Sequence, residues 1–187
     1  MRVIAGSRAR TPLLGPRDCT TRPITDRVKE SLFSILGLLV TDIVVADLFC
    51  GTGSLGLEAL SRGAQRAIMM DKDREALQRL RKNIEKLNFK DRTEVIRGDV
   101  FKVDISAAQC RMVFVDPPYR LTQDTSLESP VGSLLVKLSE QMTAQSIVVL
   151  RHQRQSEILP CYAALQQYDQ RVYGSMALTF LEKAGNT

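Results

Sequence analysis

The segment Asp116-Pro117-Pro118-Tyr119 combines residue types that suit the recognition of a planar base. Two successive prolines prevent a strand or a helix from continuing, so they fix the backbone in an extended turn. A proline carbonyl in such a turn has no neighbouring N–H partner and is available as an acceptor. Asp116 adds a carboxylate acceptor and Tyr119 adds a flat ring, which together suit an exocyclic amine on a base. The structural alternatives are a rigid loop or a peptide ligand for a WW-type domain.

A glycine motif forms the second candidate site. Gly51, Gly53 and Gly56 satisfy the pattern G-x-G-x-x-G between an apolar run at 43–49 and a helical pattern at 54–62. Glycines at these positions allow a tight turn and a close approach of the backbone to a ligand. The motif leaves the ligand open. It fits the pyrophosphate of a nicotinamide cofactor, or the amino-acid part and ribose of S-adenosylmethionine (AdoMet).

Four aspartates stand at or near the ends of predicted strands. They are Asp47, Asp71, Asp99 and Asp116. Ligands of open α/β sheets bind outside the carboxyl ends of the strands, so these four carboxylates are predicted to line one edge. Asp71 follows Gly56 by 15 residues and is placed to accept hydrogen bonds from ribose hydroxyls. A single strand-end aspartate is also a common turn residue, and Asp99 after a glycine fits that alternative.

The elements that must position these residues alternate along the chain. Short apolar runs predict strands, and apolar residues at helical spacing predict helices between them. A hairpin around residues 174–175 closes the pattern. This order predicts parallel strands joined by crossover helices. The predicted strands are 43–49, 67–71, 93–99, 112–116, 147–150, 166–173 and 176–181, and the predicted helices are 26–36, 54–62, 73–88 and 131–142.

The N-terminal residues carry most of the net positive charge. Residues 1–22 hold five arginines against Asp18, a net charge of +4, whereas the whole chain of 187 residues has +5. Glycines and prolines between short apolar pairs predict a small hairpin or arm there. Arginine suits bidentate phosphate contacts, so this segment is expected to contact a polyanion. A solvated tail is the alternative.

The composition excludes disordered, fibrous and low-complexity proteins. With 44% hydrophobic and 25% charged residues the chain is an ordinary globular protein. Its length fits one domain with a small appendage, which we divide into a basic extension at 1–22 and a main domain at 23–187. Four widely spaced cysteines and one histidine predict neither a metal site nor a disulfide scaffold. The absence of a long apolar run or a signal-like start predicts a cytoplasmic protein without a membrane span.

The motifs together resemble a known family. Asp-Pro-Pro-Tyr after the fourth strand and Asp-Leu-Phe-Cys-Gly-Thr-Gly at 47–53 are similar to class I AdoMet-dependent amino-methyltransferases. More narrowly, the chain resembles the bacterial 16S rRNA guanine-N2 methyltransferases of the small ribosomal subunit. The more specific segments are Arg-Val-Ile-Ala-Gly at 2–6, Arg-Pro-Ile-Thr-Asp-Arg-Val at 22–28 and Glu-Ala-Leu-Ser-Arg-Gly-Ala at 58–64.

This resemblance implies a fold and an activity. The fold is a Rossmann-like class I methyltransferase with helices on both faces of a seven-stranded, mostly parallel sheet whose last strand is antiparallel. The activity is methyl transfer from AdoMet to the N2 amine of a guanosine in 16S rRNA, within the small subunit or an assembly intermediate. A monomer is the default, and no metal takes part.

The resemblance also assigns residues. The catalytic set is Asp116, Pro117, Pro118 and Tyr119. The AdoMet-binding set is Asp47, Phe49, Gly51, Thr52, Gly53, Asp71, Lys72, Asp99 and Val100. The RNA-binding set is Arg2, Arg8, Arg10, Arg17, Arg22 and Arg27.

Two departures from the family pattern stand out. Asp71 replaces the glutamate that is common at the end of the second strand, and Leu150-Arg151-His152 stands where an acidic residue is expected. Three other functions stay open on the sequence alone: a DNA adenine-N6 methyltransferase, a nicotinamide-dependent oxidoreductase, and a non-catalytic RNA-binding module.

Overall fold

The computed structural model describes residues 1–17 and 24–185 of the chain. They form two compact units, Met1–Val100 and Phe101–Thr187, which are described separately below. Among the described residues, no helix has both the length and the apolar character that a membrane span requires. The same part of the chain holds no group of three or more His, Cys, Asp or Glu side chains arranged around a possible metal position.

The first unit contains three parallel strands in the order β3-β2-β1. Each crossover between consecutive strands is a helix, as the alternating sequence pattern predicts. All three strands end at the same edge, and Asp71 is the last residue of β2. The elements are α1 (Asp26–Leu36), β1 (Val44–Leu48), α2 (Ser54–Ser61), β2 (Arg66–Asp71), α3 (Arg74–Leu87) and β3 (Thr93–Arg97).

Helix α3 shows why these residues form these elements. Its apolar stripe of Leu77, Leu80, Ile84 and Leu87 is buried, while the rest of the helix is largely polar. The Asp73 carboxylate caps the helix by accepting from the N–H groups of residues 75 and 76. The helix ends where the next residue, at position 88, adopts a left-handed conformation.

The second unit contains five strands in the order β4-β5-β8-β7-β6. Strands β4 and β5 are parallel and flank α4 in sequence, whereas β8, β7 and β6 each run antiparallel to their preceding neighbour in that order. The predicted hairpin is therefore confirmed as β7 and β8. The elements are β4 (Met112–Val115), α4 (Pro130–Gln141), β5 (Ile147–Gln153), β6 (Cys161–Tyr162), β7 (Leu165–Tyr173) and β8 (Met176–Lys183).

The predicted number of seven strands is wrong, because the described residues form eight. The additional strand is β6, Cys161–Tyr162, which pairs with the start of β7. Two residues are too few to show the alternation that identifies a strand in a sequence. The last strand in sequence, β8, runs antiparallel to β5 as predicted, and β7 and β6 extend this end of the sheet through antiparallel pairs. Strand β5 also runs three residues beyond its predicted end at residue 150, through Arg151 and His152.

The start of the chain forms the expected small hairpin. Arg2 and Pro12 form an antiparallel bridge, and the Val3 N–H donates to the Thr11 carbonyl at 2.9 Å. Val3 and Leu13 are buried, so the hairpin contributes two side chains to the core of the first unit. The proposed domain boundary between residues 22 and 23 lies outside the described residues.

Candidate active site

The loop after β1 has the left-handed backbone that its glycines permit. Gly51 has φ 52° and Gly53 has φ 86°, and Phe49 also has a positive φ of 61°. The positive φ favours glycine at position 53, and a Cβ there would lie 2.4 Å from the Leu80 Cδ1 atom, so the Leu80 side chain would have to shift. A Cβ at Gly51 would meet no atom within 4 Å. The backbone is therefore open at Gly51, where a ligand can approach it closely.

Two strand-end carboxylates fix the ends of this loop. The Asp71 Oδ2 atom accepts the Gly51 N–H at 2.8 Å, and the Asp47 Oδ2 atom accepts the Gly56 N–H at 2.8 Å. Asp47 is buried, with 1% of its surface exposed, and its negative charge lies beside the first turn of α2, where it is favourable. The second Asp71 oxygen accepts the Asp73 N–H at 2.9 Å. The first unit thus brings Asp47, Gly51, Gly56 and Asp71 together around one loop.

The other residues of the predicted AdoMet set follow the same strand ends. Thr52 is buried, and its carbonyl accepts from the Asn83 Nδ2 atom at 3.0 Å. Lys72 is exposed directly after β2. Asp99 is exposed after β3, and Val100 is buried at the start of a short 3-10 turn. Backbone openness at Gly51 and carboxylates at neighbouring strand ends fit the hydroxyl and amine groups of a nucleoside cofactor.

Cys50 lies within the same loop but is not suited to nucleophilic chemistry. Burial raises the pKa of the Cys50 thiol well above its ordinary value of 9.0, and the carboxylates of Asp47 and Asp71 raise it further. The thiol therefore stays protonated near neutral pH, whereas the thiolate is the nucleophilic form.

The Asp-Pro-Pro-Tyr segment directly follows β4 in the second unit. Pro117 is buried, Pro118 has φ −53° and ψ 136°, and a short 3-10 turn covers Tyr119–Leu121. The prolines therefore end the strand as predicted. The Pro118 carbonyl accepts the Leu121 N–H at 2.9 Å, so it is satisfied locally, contrary to the expectation that a proline carbonyl here has no local partner. The 3-10 turn supplies that partner, and Pro117 is left as the candidate backbone acceptor.

Arg151, near the end of β5, was not among the predicted site residues. Its Nη1 atom lies 2.7 Å from the Asp116 Oδ2 atom, and its Nη2 atom donates to the Tyr119 hydroxyl at 3.3 Å. The guanidinium carbon also lies 5.3 Å from the centre of the Tyr119 ring. One arginine therefore contacts both of the side chains that were predicted to hold the target base.

Two opposing effects act on the pKa of Asp116. Burial raises the pKa of the Asp116 carboxyl above its ordinary value of 3.8, and the positive charge of Arg151 acts in the opposite direction. For Arg151, burial acts to lower the pKa, but the charge of Asp116 and the contacts with Asp116 and Tyr119 together outweigh burial and raise the pKa above its ordinary value. The departure from the family pattern at residues 150–152 was the only sign in the sequence that Arg151 belongs to the site. Its contact with Asp116 depends on the register of neighbouring strands, which the sequence does not reveal.

His152, next to Arg151, takes no part in this cluster. It is fully buried, and its Nε2 atom lies 2.8 Å from the Thr179 hydroxyl of β8. Burial lowers the pKa of His152 below its ordinary value of 6.5. We therefore assign it a structural role.

The predicted RNA-binding arginines lie in the first unit, apart from Arg22, which is outside the described residues. Arg8 donates from Nε to the Leu87 carbonyl at 2.8 Å. Arg2 lies 3.1 Å from the Asp26 carboxylate, and Arg17 lies 3.8 Å from the Glu75 carboxylate. The side chains of Arg2, Arg8, Arg10, Arg17 and Arg27 are all exposed.

Residues 1–17, the N-terminal segment, are held on helices α2 and α3. The Glu58 carboxylate of α2 accepts the Ile4 N–H at 2.7 Å and the Ala5 N–H at 3.1 Å. The Asn83 side chain of α3 accepts the Leu14 N–H at 2.8 Å and donates to the Leu14 carbonyl at 3.1 Å. The segment is thus fixed by its backbone, and its exposed arginines have a defined place on the surface.

A buried cation completes this attachment. Lys29 of α1 is fully buried, and its Nζ atom lies 2.6 Å from the Arg2 carbonyl and 3.5 Å from the Glu58 Oε2 atom. Burial lowers the pKa of Lys29 below its ordinary value of 10.5, and the charge of Glu58 opposes that shift. Arg62 also contacts Glu58, at 2.7 Å. A charged network therefore joins α1, α2 and the start of the chain.

Comparisons with known proteins identify the family of this chain. Residues 1–182 match the family described as "Conserved hypothetical protein 95". The Bacillus subtilis protein named "Putative rRNA methyltransferase YlbH" is 32% identical over 191 residues, covering 99% of this chain and 100% of that relative. The Escherichia coli "Ribosomal RNA small subunit methyltransferase D" is 38% identical over 120 residues, which are 64% of this chain and 61% of that protein.

A solved structure extends the likeness to the fold. "Putative methyltransferase yhhF from Escherichia coli" superposes with a TM-score of 0.81 at 28% identity, covering 100% of this chain and 99% of that one. The chain therefore belongs to the conserved hypothetical protein 95 family and has the Rossmann-like methyltransferase fold, with a mostly parallel sheet and antiparallel final strands.

Proposed function

We propose that this protein transfers a methyl group from AdoMet to the exocyclic N2 amine of a guanosine in 16S rRNA. The observation that carries the proposal is the Asp116–Tyr119 turn at the carboxyl end of β4, in a chain whose fold and relatives are those of methyltransferases. An acidic acceptor, a backbone acceptor and an aromatic ring in one turn match an amine on a planar base.

The loop after β1 is the proposed AdoMet site. Gly51 offers open backbone, and Asp71 at the end of β2 is the proposed acceptor for ribose hydroxyls. Asp99 and Val100 after β3 are proposed to contact the adenine. Phe49, Thr52, Gly53 and Lys72 complete the set. Asp47 is fully buried and bonded to Gly56, so its proposed contribution is to hold the loop in shape.

The target amine is a poor nucleophile because its lone pair is delocalised into the guanine ring. We expect Asp116 and the Pro117 carbonyl to accept hydrogen bonds from the two N–H bonds, which favours a more pyramidal nitrogen. The Tyr119 ring fixes the angle of the base by stacking on it. AdoMet supplies an electrophilic methyl group on a sulfonium. Holding the reactants in line accounts for most of the expected rate, an effect worth roughly 7–11 kcal/mol in favourable cases.

The N-terminal segment is the proposed RNA contact. Its arginines, with Arg27 of α1, are exposed on a fixed backbone, and α3 presents the exposed Arg81 and Lys82 in the same unit. One flipped base gives little affinity, so phosphate contacts of this kind are needed to hold the RNA. Arg17 is mostly exposed beside Glu75, and an exposed ion pair of that kind is easily exchanged for a phosphate.

The substrate, in this proposal, is 16S rRNA within the small ribosomal subunit or an assembly intermediate. We further propose that the enzyme acts in the cytoplasm, as a monomer. DNA adenine-N6 methylation is not favoured, because the similar proteins from Bacillus subtilis and Escherichia coli are named as rRNA methyltransferases.

The direct test is mass mapping of methylated nucleosides in 16S rRNA from cells with and without the gene. We expect one N2-methylguanosine to disappear with the gene and to return with the wild-type gene but not with Asp116→Asn. In vitro, purified protein should transfer labelled methyl groups from AdoMet to small-subunit particles that lack the modification. Labelled methyl groups in DNA adenine, or binding of NAD in place of AdoMet, would overturn the proposal.

A further inference from the structure

We infer that Arg151 is a positioning residue that keeps Asp116 ionised and sets the plane of the Tyr119 ring. The inference rests on the proposed function, because it assigns a role in presenting the target amine. It gives a role to Arg151, which stands where the resemblance leads us to expect an acidic residue.

The strand register places the two charges side by side. Val115 of β4 pairs with Leu150 of β5 in parallel register. Asp116 directly follows β4 and Arg151 is the next residue of β5, so the backbone directs their side chains to the same face. The resulting Nη1–Oδ2 distance is 2.7 Å. The register of the two strands therefore determines this contact, which does not depend on flexible surface side chains.

Both side chains of this ion pair are largely shielded from water, so the attraction between their charges is screened only weakly. The Arg151 side chain is 6% exposed and the Asp116 side chain is 21% exposed. Arg151 is the charged group that acts on Asp116 from β5, while His152 on the same strand is engaged by Thr179 of β8. Without Arg151, burial alone would act on Asp116 and would favour its protonated form.

Protonated Asp116 would be a poorer acceptor for the target amine. A neutral carboxyl carries a hydroxyl that donates, so it loses part of its acceptor capacity and all of its charge. Arg151 occupies Oδ2 and leaves Oδ1 for the substrate. The same guanidinium holds the Tyr119 hydroxyl at 3.3 Å and lies 5.3 Å from the ring centre, which fixes the stacking surface.

The first test is the pH profile of kcat for methyl transfer to small-subunit particles. In Arg151→Met, the acidic limb should move to higher pH by about one to three units, the range expected when a close opposite charge is removed. Activity should recover in part above that limb. Arg151→Lys keeps the positive charge, so its limb should stay near the wild-type position. A profile of Arg151→Met that is parallel to wild type and merely lower would overturn the inference.

A matched control is Arg171→Met. Arg171 is a second arginine paired with an aspartate in the same unit, Asp169, at 2.9 Å, but its side chain is 56% exposed. Its removal should leave both kcat and the acidic limb unchanged.

A second measurement needs neither a variant nor turnover. In a titration of the wild-type protein followed by NMR, the Arg151 guanidinium resonances should change with the same midpoint as the Asp116 carboxyl carbon. Arg151 resonances that ignore the Asp116 titration would overturn the inference even if Arg151→Met fails to fold. A wild-type protein that shows the coupled titration but methylates no RNA would instead overturn the proposed function, and with it the role in presenting an amine.

Discussion

The Asp71 carboxylate accepts the Gly51 N–H at 2.8 Å, so the end of β2 fixes the loop that follows β1. The residue proposed to bind ribose is therefore also the residue that shapes the open backbone beside it. A change at Asp71 is expected to act on ligand binding through both routes.

Asp71→Ala should weaken AdoMet binding by about 1–3 kcal/mol, as expected for a lost hydrogen bond to a charged group. Isothermal calorimetry on the folded variant measures the loss. Asp71→Glu is the matched control, because it retains the carboxylate and should bind AdoMet nearly as well as wild type. An unchanged affinity in Asp71→Ala would eliminate Asp71 as a ligand.

Asp116→Asn should lower kcat by about 100-fold or more, the scale seen when one preorganised polar contact to a reacting group is removed. The amide keeps the shape of the carboxylate but loses its charge and half of its acceptor capacity. The affinity for AdoMet should change little. Single-turnover methyl transfer measures the rate, and near-normal turnover would contradict the acceptor role.

The arginines of the N-terminal segment should set the salt dependence of RNA binding. Replacing Arg10 and Arg17 with glutamine should reduce the salt slope by about one unit or slightly less for each lost phosphate contact. Titrations of small-subunit RNA at several salt concentrations measure the slope, and AdoMet binding serves as the control. Superimposable slopes would mean that the RNA is held by other residues.

The buried network around Glu58 should be important for stability. Glu58→Gln removes the carboxylate that pairs with the buried Lys29, and breaking a buried pair in this way costs about 3–5 kcal/mol. Urea denaturation measures the free energy of unfolding. The double variant Lys29→Met and Glu58→Gln removes both charges and should recover part of the loss. A double variant as unstable as the sum of the single variants would show that the two residues are not coupled.

His152 should make the protein sensitive to mild acid. Its pKa in the folded state is lowered by burial from the ordinary value of 6.5, so the unfolded chain takes up a proton first as the pH falls. Stability is therefore full above pH 6.5 and declines below it until the folded-state pKa is reached.

His152→Gln should remove this decline and recover about 1 kcal/mol of the difference in unfolding free energy between pH 7.5 and pH 5.5. Urea denaturation at the two pH values provides the comparison. The same pH dependence in both proteins would mean that His152 does not titrate between the folded and unfolded states in this range.

Local patterns predicted most of the fold. Helix α3 was expected over 73–88, and those two end residues proved to be its caps. Strand β6 was not predicted because two residues are too few to show an alternation of apolar and polar side chains. The end of β5 was not predicted because Arg151 and His152 are polar. Burial of these two side chains depends on partners in β8 and after β4, which local sequence does not reveal.

The candidate site was predicted as a set of residue types but not as a set of contacts. The strand-end aspartates were identified, yet the use of Asp47 and Asp71 to hold the glycine loop depends on where strands β1 and β2 end relative to each other. The pairing of Arg151 with Asp116 depends in the same way on the register of β4 and β5. Such registers are set by packing across the whole sheet.

The attachment of the N-terminal segment determines when it can fold. Ile4 meets Glu58 across 54 residues of chain, and Arg8 meets the Leu87 carbonyl across 79. Closing loops of that size carries an entropic cost that is repaid only after α2 and α3 are in place. On a translating ribosome, residues 4–8 can therefore make these contacts only after Leu87 has left the exit tunnel.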